Sequence, residues 1–265
     1  MKSYLFFMLS ILLLSSSCNS NTETNNQVVL GQEAFRKLDT LVTISGSWVS
    51  ESYYQVLKNS KSPRAAQNAP ATSYIVIPEK TLEKTFMVYN FHEGSEIMKV
   101  VKRNSGYELW GYSDENDLLT KQISTIEIVS KNKIKIDNIV FEKISAVDTY
   151  ANDYIIEEIL FRGLYKNNQG SNVEFTGDGK ITGMDNFHFY KPMIDYFDQG
   201  MNIDQVYLGN KPEISFELSD RYGFRFSGDT LDLYKLNCAE FDSTSNNCGV
   251  VEFGERIDRL VKENK

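Results

Sequence analysis

Histidine and cysteine are scarce in this chain: 265 residues hold two histidines and three cysteines. Metal sites of the His/Cys kind and histidine-based acid–base chemistry are therefore short of raw material. Basic tracts are missing too. The 28 Lys+Arg face 36 Asp+Glu, for a net charge of −8, and no run of positive residues could neutralise a row of phosphates, so nucleic acid is not an expected partner. No Gly-x-Ser-x-Gly, phosphate loop or dinucleotide glycine motif occurs. A glycosidase-like carboxylate pair carries no specificity in a chain with this many acids. No cofactor is expected, and the composition tilts away from an enzyme towards a binding or structural role. What is present, 41% hydrophobic and 12% aromatic residues, suits a globular protein with a sizeable core.

Residues 1–17 read as a secretory signal. Lys2 supplies the positive end, Tyr4 to Leu14 an apolar stretch too short to span a bilayer, and Ser15-Ser16-Ser17 the small residues before Cys18. This run ending in one cysteine resembles the lipobox of bacterial lipoproteins, with Ser15 where the usual leucine stands and Leu14 one place further back. The resemblance implies cleavage before Cys18 and acylation of that cysteine, palmitate among the chains, so the membrane becomes a partner through the anchor. Asn19, rather than aspartate, follows the cysteine. By the same resemblance this points to the outer membrane of a cell envelope. Residues 18–40 are expected to hold the lipidated cysteine and a solvated tether, since residues 19–28 lack apolar side chains to pack. Cys238 and Cys248 enclose nine residues, mostly polar or small. In an oxidising compartment they predict a disulfide worth about 2–3 kcal/mol, the alternative being two separate buried thiols.

From residue 41 onward, short alternating runs separated by turn residues predict an all-β fold. The first half offers strands near 44–49, 74–77, 85–91, 96–103, 107–113, 122–129, 133–137 and 138–144, with a short helix over Glu51 to Asn59 and a tight turn at Asp137-Asn138. Candidates in the second half are 159–165, 172–176, 180–182, 187–190, 205–208, 213–216, 221–227, 230–236 and 250–260. Asp178-Gly179 and Gly228-Asp229 supply hairpin turns, and Tyr222, Phe224 and Phe226 share one face, away from Gly223 and Arg225.

The halves echo each other. Ile44-Ser45-Gly46-Ser47-Trp48 matches Phe161-Arg162-Gly163-Leu164-Tyr165 at an offset of 165 − 48 = 117, and the same offset places the 133–144 hairpin on 250–261. Two small antiparallel up-and-down β-barrels are expected, over residues 41–148 and 155–265, with a single larger barrel as the alternative. Gly46-Ser47-Trp48 resembles the Gly-x-Trp signature of lipocalins, and Gly163-Leu164-Tyr165 resembles it with tyrosine substituted. The resemblance implies eight-stranded barrels closed at one end by Trp48 and Tyr165, with an apolar interior that holds a small lipophilic molecule.

Individual residues offer little chemistry. His92 and His188 read as turn and rim residues. Asp195, Asp198 and Asp204, like Asp178 and Asp185, lack the spacing of a calcium loop and read as solvated turn carboxylates, so no metal is expected. The most unusual stretch is aromatic. Phe187, Phe189, Tyr190, Met193, Tyr196 and Phe197, followed by Met201, cluster around Pro192 and Gly200. They form either a lid or portal that touches a ligand or partner protein, or a loop packing its own rings on the barrel. The expectation is a lipid-anchored cell-envelope protein that binds a small hydrophobic or amphipathic ligand, with an envelope protein–protein interaction module built on solid barrels as the alternative and a glycan- or lipid-acting enzyme behind both.

Overall fold

The computed structural model describes residues 44–263 apart from 81–82, 92–93, 105, 114, 117, 146–153, 197–201, 213–219 and 244–246. The signal segment, Cys18, the tether, His92, Phe197 and the 213–216 strand candidate lie outside the described residues. Eight antiparallel strands form a closed first barrel: β1 (Gly46–Ser50), β2 (Tyr74–Ile77), β3 (Lys84–Val88), β4 (Glu96–Arg103), β5 (Gly106–Ser113), β6 (Leu118–Ser130), β7 (Lys133–Ile136) and β8 (Ile139–Ser145). Each strand pairs with the next, and β1 returns to β8 through Trp48 opposite Lys143 and Val49 opposite Glu142. Alternation decides the two faces. Trp48, Ile75, Ile77, Met87, Met98, Val100, Leu109, Ile134 and Phe141 fill the interior, while Val49, Tyr74, Val76 and Val88 face outward beneath the helices.

Those helices lie between β1 and β2. In α1 (Glu51–Ser60), Tyr53 and Leu57 stand four apart and are fully buried, and Lys61 ends the helix in a left-handed conformation with its N–H on the Leu57 carbonyl at 2.8 Å. The next helix, α2 (Pro63–Ala66), starts as capping rules require: the Ser62 hydroxyl accepts from Ala65 N–H at 3.0 Å, and Pro63 takes the first position.

A second set of eight strands follows: β9 (Gly163–Lys166), β10 (Asn172–Phe175), β11 (Ile181–Thr182), β12 (Phe189–Pro192), β13 (Gln205–Gly209), β14 (Arg221–Ser227), β15 (Thr230–Asp242) and β16 (Asn247–Lys262). Their order is again up-and-down, with β9 meeting β16. The seam between β11 and β12 is narrower than a ladder. It holds a bridge from Lys180 to Phe189, with Ile181 N–H on the His188 carbonyl and Tyr190 N–H on the Gly179 carbonyl, both 2.8 Å, so this barrel is nearly closed. Chain 159–161, expected as strand, belongs to a π-helical turn (Glu157–Phe161) that follows a short α3 (Tyr154–Ile156). That turn drives Phe161 into the barrel, where its ring meets Phe175, Tyr190, Phe224 and Phe226 at centroid distances of 5.0–5.8 Å.

The repeat at offset 117 holds at the barrel entries and fails at the exits. Gly46 and Gly163 both take positive φ, 121° and 151°, and Trp48 and Tyr165 are both buried. Each ring donates to a carbonyl four residues earlier: Trp48 Nε1 to Ile44 at 2.8 Å and Tyr165 OH to Phe161 at 2.7 Å. A lysine from the last strand sits over each ring, Lys143 at 5.0 Å and Lys262 at 5.5 Å. Residues 250–261, by contrast, contain no hairpin; they run within the single strand β16, because β15 and β16 are longer than β7 and β8.

The described residues form one compact unit, and a hydrophobic cluster runs from Tyr53, Leu57 and Ala66 of the helices into Ile156, Phe161, Phe224 and Leu231 of the second barrel. Asp204 fastens this junction. Its carboxylate accepts from Arg64 N–H at 2.9 Å, so a residue of the second barrel caps a helix of the first. Asp204 is thus not the solvated turn carboxylate its sequence context predicts, and burial pushes its carboxyl above the usual range against the opposing help of Ser62 and Arg64.

Candidate functional site at the open end of the second barrel

Phe161, the β10–β11 turn and the Gly228-Asp229 turn occupy the end of the second barrel that meets the helices, where Lys61 Nζ donates to the Gly228 carbonyl at 2.7 Å. The opposite end carries an open cleft of about 570 Å³, within the common range of roughly 300–1,000 Å³ for small-molecule sites. Two loops and three strands build it. The β9–β10 turn contributes Asn167, Asn168 and Gln169; the β11–β12 connection contributes Gly183 to Phe187; and Tyr222, Lys235, Ile257 and Asp258 come from β14, β15 and β16.

Each piece is held by local chemistry. Asn167 Oδ1 accepts from the N–H groups of Gln169 and Ser171 at 3.0 and 2.9 Å, an Asx-type turn that fixes the backbone and leaves Asn168 and Gln169 exposed. Gly183 has φ +82°, and a Cβ there would stand 1.9 Å from the Asn172 carbonyl oxygen, so only glycine lets the loop pass this close to β10. Ile257 is the extra residue of a β-bulge, since Asp258 pairs with Leu233 while Arg256 pairs with Tyr234. The bulge re-aims a side chain at the barrel rim.

The floor is apolar and the rim polar. Met184, Phe187, Tyr222 and Ile257 are half-buried and pack on the core, with the Phe187 and Tyr222 rings edge to face at 5.1 Å. Burial, with the Asp220 charge adding to it, raises the Tyr222 hydroxyl above its ordinary value, so it stays a neutral donor. Burial likewise lifts the Asp258 carboxyl, whose Oδ1 accepts from Arg259 N–H at 2.8 Å. Lys235 Nζ is engaged by Glu255 at 2.8 Å.

The aromatic stretch, read either as a contact lid or as a loop packing its own rings, is divided by the structure. Phe187 reaches the cleft. Phe189 and Met193 are half-buried on or beside β12. Tyr190 and Tyr196 are core rather than contact residues, only 2% and 7% exposed. Tyr190 donates to the Thr176 carbonyl at 2.5 Å inside the barrel, and the Tyr196 hydroxyl accepts from Gln205 N–H at 3.1 Å beside Asp204. Alternation explains this: once Tyr190 pairs opposite Leu208, both must point inward. The Asn-Asn-Gln run and Ile257 were missed as site residues, because an amide-rich turn reads only as a turn and a bulge has no sequence signal.

Beyond Lys235, β15 pairs among the described residues only with β16. The two strands continue past the cleft as a hairpin crossed by the Cys238–Cys248 disulfide, with Cα atoms 5.6 Å apart. Asn202 ties its base through bonds to Val251, and Phe241 near the tip is 63% exposed. Among the described residues no three His, Cys, Asp or Glu side chains converge as metal ligands, and no helix is long and apolar enough to cross a membrane. Set against protein-family models, curated proteins and solved structures, the chain matches none of them.

Proposed function

We propose that this is a lipid-anchored cell-envelope protein, acylated at Cys18 and held at the outer membrane, that binds a small amphipathic molecule at the open end of its second, lipocalin-like barrel. The observation that carries the reading is the cleft itself: an aromatic and aliphatic floor under a polar rim, next to an interior already filled by rings. The interior does not serve as the container. Phe161, Phe175, Tyr190 and Phe224 occupy the space that a hollow barrel would offer to a ligand. The disulfide supports the export half of the reading, since such bridges persist in oxidising compartments.

Dodecyl maltoside below its micelle concentration is a suitable first probe, because it joins an alkyl chain to sugar rings. Calorimetric titration of the full chain is expected to show saturable binding that Phe187→Ala weakens at least tenfold. Binding unaffected by Phe187→Ala, or no binding, contradicts the site. Separately, Cys18→Ser is expected to move the protein from the membrane fraction to the soluble fraction on cell fractionation; retention in the membrane contradicts the anchor.

A further inference from the structure

We infer that the molecule held in the cleft is a carbohydrate, bound through a pyranose ring rather than through an acyl chain. This rests on the cleft being the binding site and goes beyond it by naming the chemistry. A sugar ring has an apolar face of C–H groups and a girdle of hydroxyls, each both donor and acceptor. The floor offers the first what it needs: the Phe187 and Tyr222 rings, held near-perpendicular by each other. Aromatic surfaces of this kind are backed by the core and ordered before the ligand arrives, so little conformational entropy is lost on binding.

The rim suits the hydroxyls. Asn168, Gln169 and Asn186 line the cleft, and a planar amide presents a donor and an acceptor side by side, matching a pair of neighbouring hydroxyls; Asn167, its oxygen committed to the turn, has its amide N–H groups to offer. Asp258 adds acceptors, one of its oxygens being already fixed by Arg259 N–H. The same rim is unsuited to a fatty acid or phospholipid. Asp185 and Asp258 repel an anionic headgroup, and the cation among the described lining residues, Lys235, is engaged by Glu255. An acyl chain also needs a deep apolar channel, whereas the floor closes on the packed rings beneath it.

Saturation-transfer NMR on the full chain with dodecyl maltoside below its micelle concentration tests this within one probe. Saturation is expected on the sugar-ring protons, with the alkyl protons weak. The ring signal should fall at least tenfold in Phe187→Ala and in the exposed-rim double variant Gln169→Ala/Asn186→Ala, which touches no core contact, and should survive in Phe241→Ser at the hairpin tip. Saturation concentrated on alkyl protons and still sensitive to Phe187→Ala overturns the carbohydrate inference and leaves the amphipathic site standing. No saturation of either half overturns both.

Discussion

In the first barrel Trp48 rests among isoleucines, valines and methionines, while in the second Tyr165 rests in a ring cluster of Phe161, Phe175, Tyr190 and Phe224. Both openings use the same device: a positive-φ glycine, an aromatic two residues on, and its polar atom donating to a carbonyl four residues back. The difference lies in closure and in the short strands at and beside the seam. Strands β3 to β6 run 5 to 13 residues and zip shut with their neighbours, but β10, β11 and β12 have four, two and four. Short strands supply few side chains to fill a barrel, so each must be large, and rings fill the volume. They also leave loops rather than ladder at the open end, and loops with amide and aromatic side chains make a site where the fully closed first barrel makes a scaffold.

The largest blow to the comparison should come from the paired residues four places before Trp48 and Tyr165. Phe161→Ala removes a ring with four aromatic partners and is expected to cost about 3–5 kcal/mol, and Ile44→Ala, which removes a smaller side chain, somewhat less, about 2–4 kcal/mol. Urea unfolding with separate probes in each barrel measures both. Equal losses would mean that the ring cluster contributes nothing special to the second barrel.

A smaller effect isolates the shared hydrogen bond. Tyr165→Phe keeps the ring and deletes the donor to the Phe161 carbonyl, and is expected to cost about 1–2 kcal/mol. Lys262 also reaches towards this end, with Nζ 3.4 Å from the Leu160 carbonyl. Acidity separates the junction from the barrels. Asp204, raised by burial, keeps its proton to higher pH in the folded chain than in the unfolded one. Its charge therefore opposes folding at neutral pH, and that penalty fades as the pH falls through its folded pKa. Asp232 is held below the usual range by its two bonds to Arg259, at 2.7 and 2.9 Å. Its contribution is complete above the ordinary carboxylate range and is lost as the pH falls from there towards its folded pKa. Asp204→Asn should thus raise the urea midpoint near neutrality and flatten the gain on mild acidification, while Asp232→Asn should flatten the later loss. The reverse pattern would place the strain elsewhere.

The strand plan was readable because period-2 alternation with Asp-Asn, Asp-Gly and Gly-Asp turns is a local signal; Asp137 and Gly228 do take the positive φ their turns need. Helix α1 was readable for the same reason, from Tyr54, Leu57 and Lys58 before Pro63. Features that depend on distant partners were not. Asp204 looks like a turn aspartate until the α2 N-terminus arrives from 140 residues away. The π-helical turn at Glu157–Phe161 hides within a strand-like run, since Ile159 and Phe161 alternate just as strand residues do. Of the cleft residues, Phe187 is the one whose sequence context points to a contact. The cleft's amide rim and bulged Ile257 become a site only when two loops and a bulged strand meet at one barrel end.

Amide hydrogen exchange on the full chain, with and without dodecyl maltoside below its micelle concentration, tests most directly whether the two barrels divide into scaffold and site. Protection is expected at 167–169 and 183–187 of the second barrel, with the β1 to β8 amides unchanged. Protection of the first barrel's strands instead, or none at the open end of the second, would contradict that division.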